Sequence, residues 1–316
     1  MRIVVMDNVV LNREQIGLLN TLGELIIFRD NPSTRKEVID RAGNADILIS
    51  GWTKYPRDIL EDLPNLQMIS LWSTGMDCID LNTAERAGII VTNVPGFARN
   101  AVAELTFGLI LAVMRKIHPA CCQIRKSRAF DWELFQGREL SGKTLGILGT
   151  GAIGVKTAQI AKGFDMNIVA FDMYPKKQLE TDQILKYVDF KYVFSCSDIV
   201  SVHMPLTDGT RGIIGYPELS SMPSHGIFIN TARAEIVDQE ALTRCLREGV
   251  LLGCGLDDVD LDHPSWEELS RMEQVIMTPH MGFYTHEAVK TKGDICIDNV
   301  VRFISNNNDY CLKMSV

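Results

Sequence analysis

The chain has 316 residues and a formal net charge of -8, with 46% hydrophobic and 23% charged residues. That length exceeds what one hydrophobic core usually fills, so two domains are expected in a soluble globular protein. The acidic balance argues against a general binder of nucleic acid or anionic membrane, no apolar run reaches the roughly 20 residues of a membrane span, and the first seven residues read as a strand rather than a signal peptide.

The first hundred residues alternate strand and helix. Residues 2–6 read as a strand, 12–22 as a helix, 24–28 as a strand, and 33–42 as a helix that Ser33 can cap with Glu37 near its first turn. Residues 45–50, 66–71 and 88–93 read as further strands. This βα alternation predicts a mostly parallel, doubly wound sheet ahead of whatever follows.

Residues 100–117 predict one long helix, apolar nearly all round and therefore buried, with Pro119 kinking or ending it. An irregular stretch with Trp132 and Phe135 leads on to Lys143-Thr144-Leu145-Gly146-Ile147-Leu148-Gly149-Thr150-Gly151-Ala152-Ile153-Gly154, an apolar strand running into a GxGxxG turn and an Ala-rich helix. Gly149 permits the tight turn, Gly151 lets backbone approach a pyrophosphate, and Gly154 lets helix and strand pack closely. The helix N-terminus then faces the phosphates. A second strand, 167–171, ends in Asp172, 18 residues after Gly154, the place of the acid that holds the adenosine ribose hydroxyls. An acid there repels a 2′-phosphate, so the cofactor expected is NAD, although Lys176 and Lys177 lie close by.

Beyond Asp172, residues 198–203, 226–230, 252–256 and 275–277 read as strands, and 238–248 and 285–305 as helices. The eight cysteines show no CxxC and no Cys/His ligand spacing, so neither a disulfide framework nor a metal site is expected, and the thiols suit a reducing cytoplasm.

Several stretches in fixed order carry a resemblance: Val102-Ala103-Glu104-Leu105, Leu140-Ser141-Gly142-Lys143-Thr144-Leu145-Gly146-Ile147-Leu148-Gly149, Asp198-Ile199-Val200-Ser201-Val202-His203-Met204-Pro205-Leu206-Thr207, Asn230-Thr231-Ala232-Arg233-Ala234-Glu235-Ile236-Val237-Asp238 and Thr278-Pro279-His280. Over nearly its whole length the chain resembles the D-isomer-specific 2-hydroxyacid dehydrogenase family. The resemblance implies an α/β fold of two doubly wound parallel-sheet, Rossmann-like domains: a discontinuous substrate domain of residues 1–98 plus 286–316, and an NAD-binding domain of residues 99–285. It also implies a homodimer formed through the NAD-binding domain, and interconversion of a small 2-oxo acid and a D-2-hydroxy acid by hydride transfer.

That chemistry needs a cation for the substrate carboxylate and a proton donor at the carbonyl. Arg233 suits the first, because its guanidinium grips two oxygens at once and never loses its charge. His280 suits the second, because an imidazole can protonate the developing alkoxide and accept the proton in reverse. The family's third member is a glutamate that stabilises the charged imidazole, and here the segment reads Leu256-Asp257-Asp258-Val259-Asp260-Leu261-Asp262-His263-Pro264. Asp262, 29 residues after Arg233 and 18 before His280, is the expected acid. Counting back from Pro264 gives His263 instead. In a third alignment Asp262-His263-Pro264-Ser265-Trp266 matches a stretch that follows the glutamate, the loop is shortened, and the acid is missing or is Asp260.

By the same resemblance Ala152 and Ile153 cover the pyrophosphate, Met204, Pro205 and Thr210 line the cofactor cleft, and Thr231 and Ala232 flank the nicotinamide. Asp257, or Asp258 in its place, binds the carboxamide. Thr74 and Gly75, in Ser73-Thr74-Gly75-Met76-Asp77, hold the substrate carboxylate through backbone N–H groups. Trp52, Tyr55, Phe97, Arg99 and Tyr284 are candidates for the side-chain pocket. Two other readings remain: a dinucleotide-sensing regulator with little turnover, and a dehydrogenase of another small anion such as formate or phosphite.

Overall fold

The computed structural model describes residues 1–306. They form two compact units: Met1–Phe97 together with the chain from Thr285 onward, and the intervening Ala98–Tyr284.

The first unit is built on five short strands: β1 Arg2–Val5, β2 Glu24–Ile27, β3 Ile47–Ser50, β4 Met68–Leu71 and β5 Ile90–Thr92. All pair in parallel in the order β2-β1-β3-β4-β5. β3 and β4 are buried at every position, which is why they read as unbroken apolar runs rather than as alternation: helices cover both faces of such a sheet. The strand order reverses between β1 and β3, the switch point where open α/β sheets bind ligands beyond their carboxyl ends.

Helix Arg13–Leu22 starts with a full capping box, Asn12 and Gln15 each bonding the other's backbone N–H. Helix Arg35–Ala42 is capped by Thr34 instead of the expected Ser33, whose N–H and hydroxyl both turn to the Glu37 carboxylate. Helix His286–Ile304, capped by Thr285, returns to this unit through specific bonds. The Gln15 amide donates to the Lys290 carbonyl (3.2 Å) and the Asp294 carboxylate (2.8 Å). Asn299 donates to the Asn93 carbonyl at 3.1 Å, and the Ser70 hydroxyl to the Cys296 carbonyl at 2.9 Å.

The second unit holds seven strands: β6 Thr144–Leu148, β7 Asn167–Phe171, β8 Lys186–Tyr187, β9 Ile199–Val202, β10 Ile227–Asn230, β11 Gly253–Leu256 and β12 Val275–Met277. They too are all parallel, in the order β12-β11-β10-β9-β6-β7-β8, and the order reverses between β6 and β9. One face is packed by Phe107, Ile110, Ile147, Ala158 and Ile229, the other by Phe194, Val200, Phe228, Leu242 and Cys245. Both parallel sheets match the expected doubly wound architecture.

The long apolar helix is Arg99–Met114, with nine of its side chains buried inside this unit against β10, β11 and helix Ala152–Lys162. It stops before Pro119. The break falls at Lys116, whose left-handed φ of 52° redirects the chain into a second helix, Ile117–Ser127. Pro119 lies in the first turn of that helix, where its missing N–H leaves no helical bond unmade. No single helix among the described residues is long and apolar enough to cross a membrane.

Register determines where the chemistry sits. Phe171, Leu148, Val202, Asn230, Leu256 and Met277 form one continuous row of Cα partners across the second sheet. The residues that follow this row are Asp172, Gly149, His203, Thr231, Asp257 and Thr278, so stretches far apart in sequence emerge together along the carboxyl edge.

Candidate active site

At the centre of that edge Gly149 has φ +95°, and a Cβ there would lie 2.8 Å from the His203 carbonyl oxygen. A Cβ on Gly154 would strike the Gly149 carbonyl, so helix Ala152–Lys162 can approach the strand only with glycine at this position. Nothing lies within 4 Å of a Cβ placed on Gly151, which leaves open space over the helix start. The first-turn N–H groups of Ala152 and Ile153 have no helical acceptor, and this open, electropositive end fits a pyrophosphate.

Asp172 ends β7 with both carboxylate oxygens engaged. One accepts from the Thr150 N–H (2.6 Å) and hydroxyl (2.8 Å), the other from the Tyr174 N–H (2.9 Å). Partial burial opposes its charge, but these bonds and the nearby Lys176 outweigh it and hold the carboxyl below the usual range. The Lys176 amine is tied to the Thr150 carbonyl at 3.0 Å. An ionised carboxylate here favours ribose hydroxyls over a 2′-phosphate.

Beyond β9, Met204 is buried, and the Thr210 hydroxyl donates to the Pro205 carbonyl (2.7 Å) and accepts from the Thr207 N–H (2.8 Å), fixing the turn. After β10, Asn230 accepts from the Ala232 N–H (3.0 Å) and donates to the Arg233 carbonyl (2.8 Å), while the Thr231 hydroxyl meets that of Thr106 at 3.1 Å. Arg233 is thereby set on a pinned turn, with one guanidinium nitrogen on the Ala232 carbonyl at 2.9 Å.

Asp257 is buried and braces the segment that carries the histidine. It accepts from the Thr278 hydroxyl (2.6 Å) and from the N–H groups of Met281 (2.9 Å) and Gly282 (2.7 Å). Its own carbonyl accepts from the His280 N–H at 2.8 Å, which holds His280 in a left-handed backbone conformation, φ 52°.

The acid facing His280 is Asp258. Its carboxylate lies 3.4 Å from His280 Nδ1 and also accepts from the Ala234 N–H at 3.1 Å, one residue from Arg233. Burial raises its proton affinity, but His280, Ala234 and Arg233 together pull it below the usual carboxylate range. With Nδ1 turned to the acid, Nε2 is left to carry the mobile proton.

The structure does not bring Asp262 to the histidine. Asp262 is exposed, and its N–H donates to the Asp260 carboxylate at 3.0 Å. Asp260 is linked through its backbone to the Gln239 amide, and the His263 ring accepts from Ser265 at the start of helix Trp266–Leu269. All three serve their own turn. Spacing from Arg233 misled because it fixes a position in a loop, whose length is free; the acid facing the histidine is the second residue after β11, a position given only a cofactor role from sequence.

The first unit carries the Ser73–Asp77 turn. Its carbonyls face inward: Ser73 O accepts from the Val94 N–H (2.9 Å), Thr74 O from the Asn93 amide (2.8 Å) and Gly75 O from the Ser73 hydroxyl (2.8 Å). The N–H groups of Thr74, Gly75 and Met76 have no acceptor among the described residues. Of the pocket candidates, Tyr55 is excluded: it is fully buried in the unit's core, and burial pushes its phenol well above the ordinary range. Trp52, Arg99 and Tyr284 are exposed and Phe97 is half-buried. Among the described residues no three His, Cys, Asp or Glu side chains cluster to hold a metal ion.

A glycine turn and acid for a dinucleotide, with an arginine, a histidine and an acid along the same sheet edge, define a nicotinamide-dependent oxidoreductase. Residues 107–282 match the family model for the D-isomer specific 2-hydroxyacid dehydrogenase, NAD binding domain. A glyoxylate reductase of Thermococcus litoralis is 36% identical over 91% of this chain and 89% of its own. A hydroxypyruvate reductase of Thermotoga maritima is 36% identical over 92% and 95%. Among solved structures, an acyclic imino acid reductase (Bsp5) in complex with NADPH and D-Arg superposes with a TM-score of 0.89, at 30% identity over 97% of this chain and 98% of that one. The chain belongs to the D-isomer specific 2-hydroxyacid dehydrogenase family, and it is an NAD-dependent enzyme interconverting 2-oxo and 2-hydroxy acids.

Proposed function

We propose that this chain reduces a short 2-oxo acid, of the glyoxylate or hydroxypyruvate kind that its relatives' names record, to the D-2-hydroxy acid. The observation that carries the site assignment is Asp258 standing between the Arg233 turn and His280 Nδ1. Gly151, Ala152, Ile153 and Asp172 would hold NAD(H), which supplies the hydride when bound. Arg233 grips the substrate's carboxylate and carbonyl oxygens and polarises the carbonyl. His280 delivers a proton from Nε2 to the developing alkoxide, while Asp258, 3.4 Å from Nδ1, orients the ring. The regulator reading drew its support from a missing acid, and Asp258 weakens it.

The test is NADH or NADPH oxidation by the purified protein with glyoxylate, hydroxypyruvate, pyruvate and phenylpyruvate, each with and without an added amine. Turnover with NADH and D-product on chiral chromatography supports the assignment. Silence across the panel with NADH binding intact overturns it, and turnover only with amine present redirects it to imino acids.

We also propose a homodimer. Phe130, Trp132 and Leu134 are 91%, 77% and 65% exposed, beside the exposed Ile117 and Ile124 of helix Ile117–Ser127, a patch suited to a second copy of this chain. Sedimentation of the wild type and of Phe130→Asp with Trp132→Asp tests this, and a monomeric wild type refutes it. The seven described cysteines are free, which supports the proposal of a cytoplasmic protein.

A further inference from the structure

Tyr187 ends β8, half-buried, with its ring against the core of the second unit. Its register partner is Ala170, two residues before Asp172, and its N–H donates to the Glu180 carboxylate at 2.9 Å, so its backbone is fixed beside the dinucleotide turn. The hydroxyl reaches Thr150, inside the glycine turn, at 2.7 Å. Either oxygen could donate in that bond taken alone, but Thr150 has one hydroxyl proton and gives it to Asp172 Oδ2 at 2.8 Å, a carboxylate that only accepts. Tyr187 must therefore donate to Thr150. Its own oxygen accepts from the Lys176 N–H at 3.1 Å. The bonds run one way, from the Lys176 N–H through Tyr187 and Thr150 to the carboxylate, and each polarises the next. Thr150 is fully buried, so a bond it loses is not made good by water.

This chain decides what the carboxylate has left to offer. Of the roughly four bonds a carboxylate accepts, Oδ2 takes the Thr150 N–H and hydroxyl and Oδ1 takes the Tyr174 N–H, which leaves an acceptor position on Oδ1. The same chain holds the cation that acts on Asp172: Lys176 has its N–H on Tyr187 and its amine on the Thr150 carbonyl at 3.0 Å, tied at both ends. Resting on the assignment of Asp172 to the adenosine ribose, we propose that Tyr187 is a positioning residue for cofactor choice: acting through Thr150, it fixes the Asp172 carboxylate with Oδ1 left to accept a ribose hydroxyl and keeps Lys176 from serving a 2′-phosphate, so that the protein takes NAD(H) and rejects NADP(H). All four residues belong to the second unit, and nothing in the arrangement depends on the other unit or on the 2-oxo acid.

The experiment is fluorescence titration of the intact, substrate-free protein with NADH and with NADPH, with thermal midpoints as the folding control. The wild type should bind NADH more tightly than NADPH by about tenfold or more, as like charges brought together require. Tyr187→Phe, which keeps the ring, should raise the Kd for NADH by about threefold to tenfold, the worth of one hydrogen bond, and change that for NADPH by less than about twofold. Thr150→Val should lower the discrimination in the same way, and Thr150→Ser, which keeps the hydroxyl, should preserve it; this pair decides the matter if Tyr187→Phe does not fold. In an Asp172→Ala background, Tyr187→Phe should leave both Kd values within about twofold, because the residue it acts through is gone. An unchanged NADH/NADPH ratio in Tyr187→Phe overturns the proposal. So does an equal loss for both cofactors, which marks a packing role, or a loss that persists in the Asp172→Ala background. A wild type that prefers NADPH overturns both this inference and the ribose assignment. The titrations contain no 2-oxo acid, so failure here leaves the substrate reading intact, and failure of that reading leaves this result standing.

Discussion

Replacing Asp258 with Asn tests the acid assignment directly. The amide keeps the shape and can still accept from the Ala234 N–H, so the Arg233 turn retains its bond while His280 loses its countercharge. At the observed 3.4 Å, two unit charges interact by about 5 kcal/mol at an effective dielectric of about 20 and by about 1 kcal/mol in bulk water. His280 is 38% exposed and Asp258 25%, so solvent screens the pair and about 1–2 kcal/mol is the reasonable share. Asp258→Asn should therefore lower kcat/KM for reduction by about tenfold, as the proton donor loses its orienting partner. The assay is kcat/KM for wild type, Asp258→Asn and Asp262→Asn. An unchanged kcat/KM in Asp258→Asn, or an equal loss in Asp262→Asn, refutes the reasoning.

Three further outcomes are expected. Arg233→Lys keeps a charge but loses two-point contact with carboxylate and carbonyl, and should lower kcat/KM by about 10²–10³ with NADH binding, read by fluorescence titration, unchanged. His203, 2.9 Å from the Ser201 hydroxyl, is pushed by burial from 6.5 down to about 4. The unfolded chain therefore takes up this proton first as pH falls: stability is complete above about 6.5, declines by about 3 kcal/mol between 6.5 and 4, and His203→Gln should flatten that part of a urea-midpoint profile. Asp257→Asn should loosen the 278–282 turn, costing about 1–3 kcal/mol and lowering kcat, as unfolding curves and steady-state kinetics read together will show.

The glycine turn, Asp172 and most strands were legible because parallel strands covered on both faces must be continuous apolar runs, and β7, β9, β10, β11 and β12 each run into a polar residue on one edge. What misled was local. Thr34 and Ser33 are equally good caps by type, and only the position of Glu37 decides between them. The apolar pattern of residues 100–117 contains no signal for the break at Lys116, because a left-handed turn at lysine leaves no mark in hydrophobic periodicity. Tyr55, a candidate for the side-chain pocket, points into the core instead.

The acid position shows why spacing was the weaker guide. Counting from Arg233 fixes a residue in a loop, and a loop can lose residues without disturbing the sheet. Residues 257 and 258 follow β11 directly, so the Asn230–Leu256–Met277 row fixes their placement however long the loop is. Successive residues leaving a strand project to different sides, so adjacent aspartates can do different work. Asp257 turns to the backbone of the histidine's own turn and sets where His280 sits, while Asp258 turns to the ring and to the Ala234 N–H. An acid on a strand end needs no long side chain to reach its partner, so an aspartate suffices at this place.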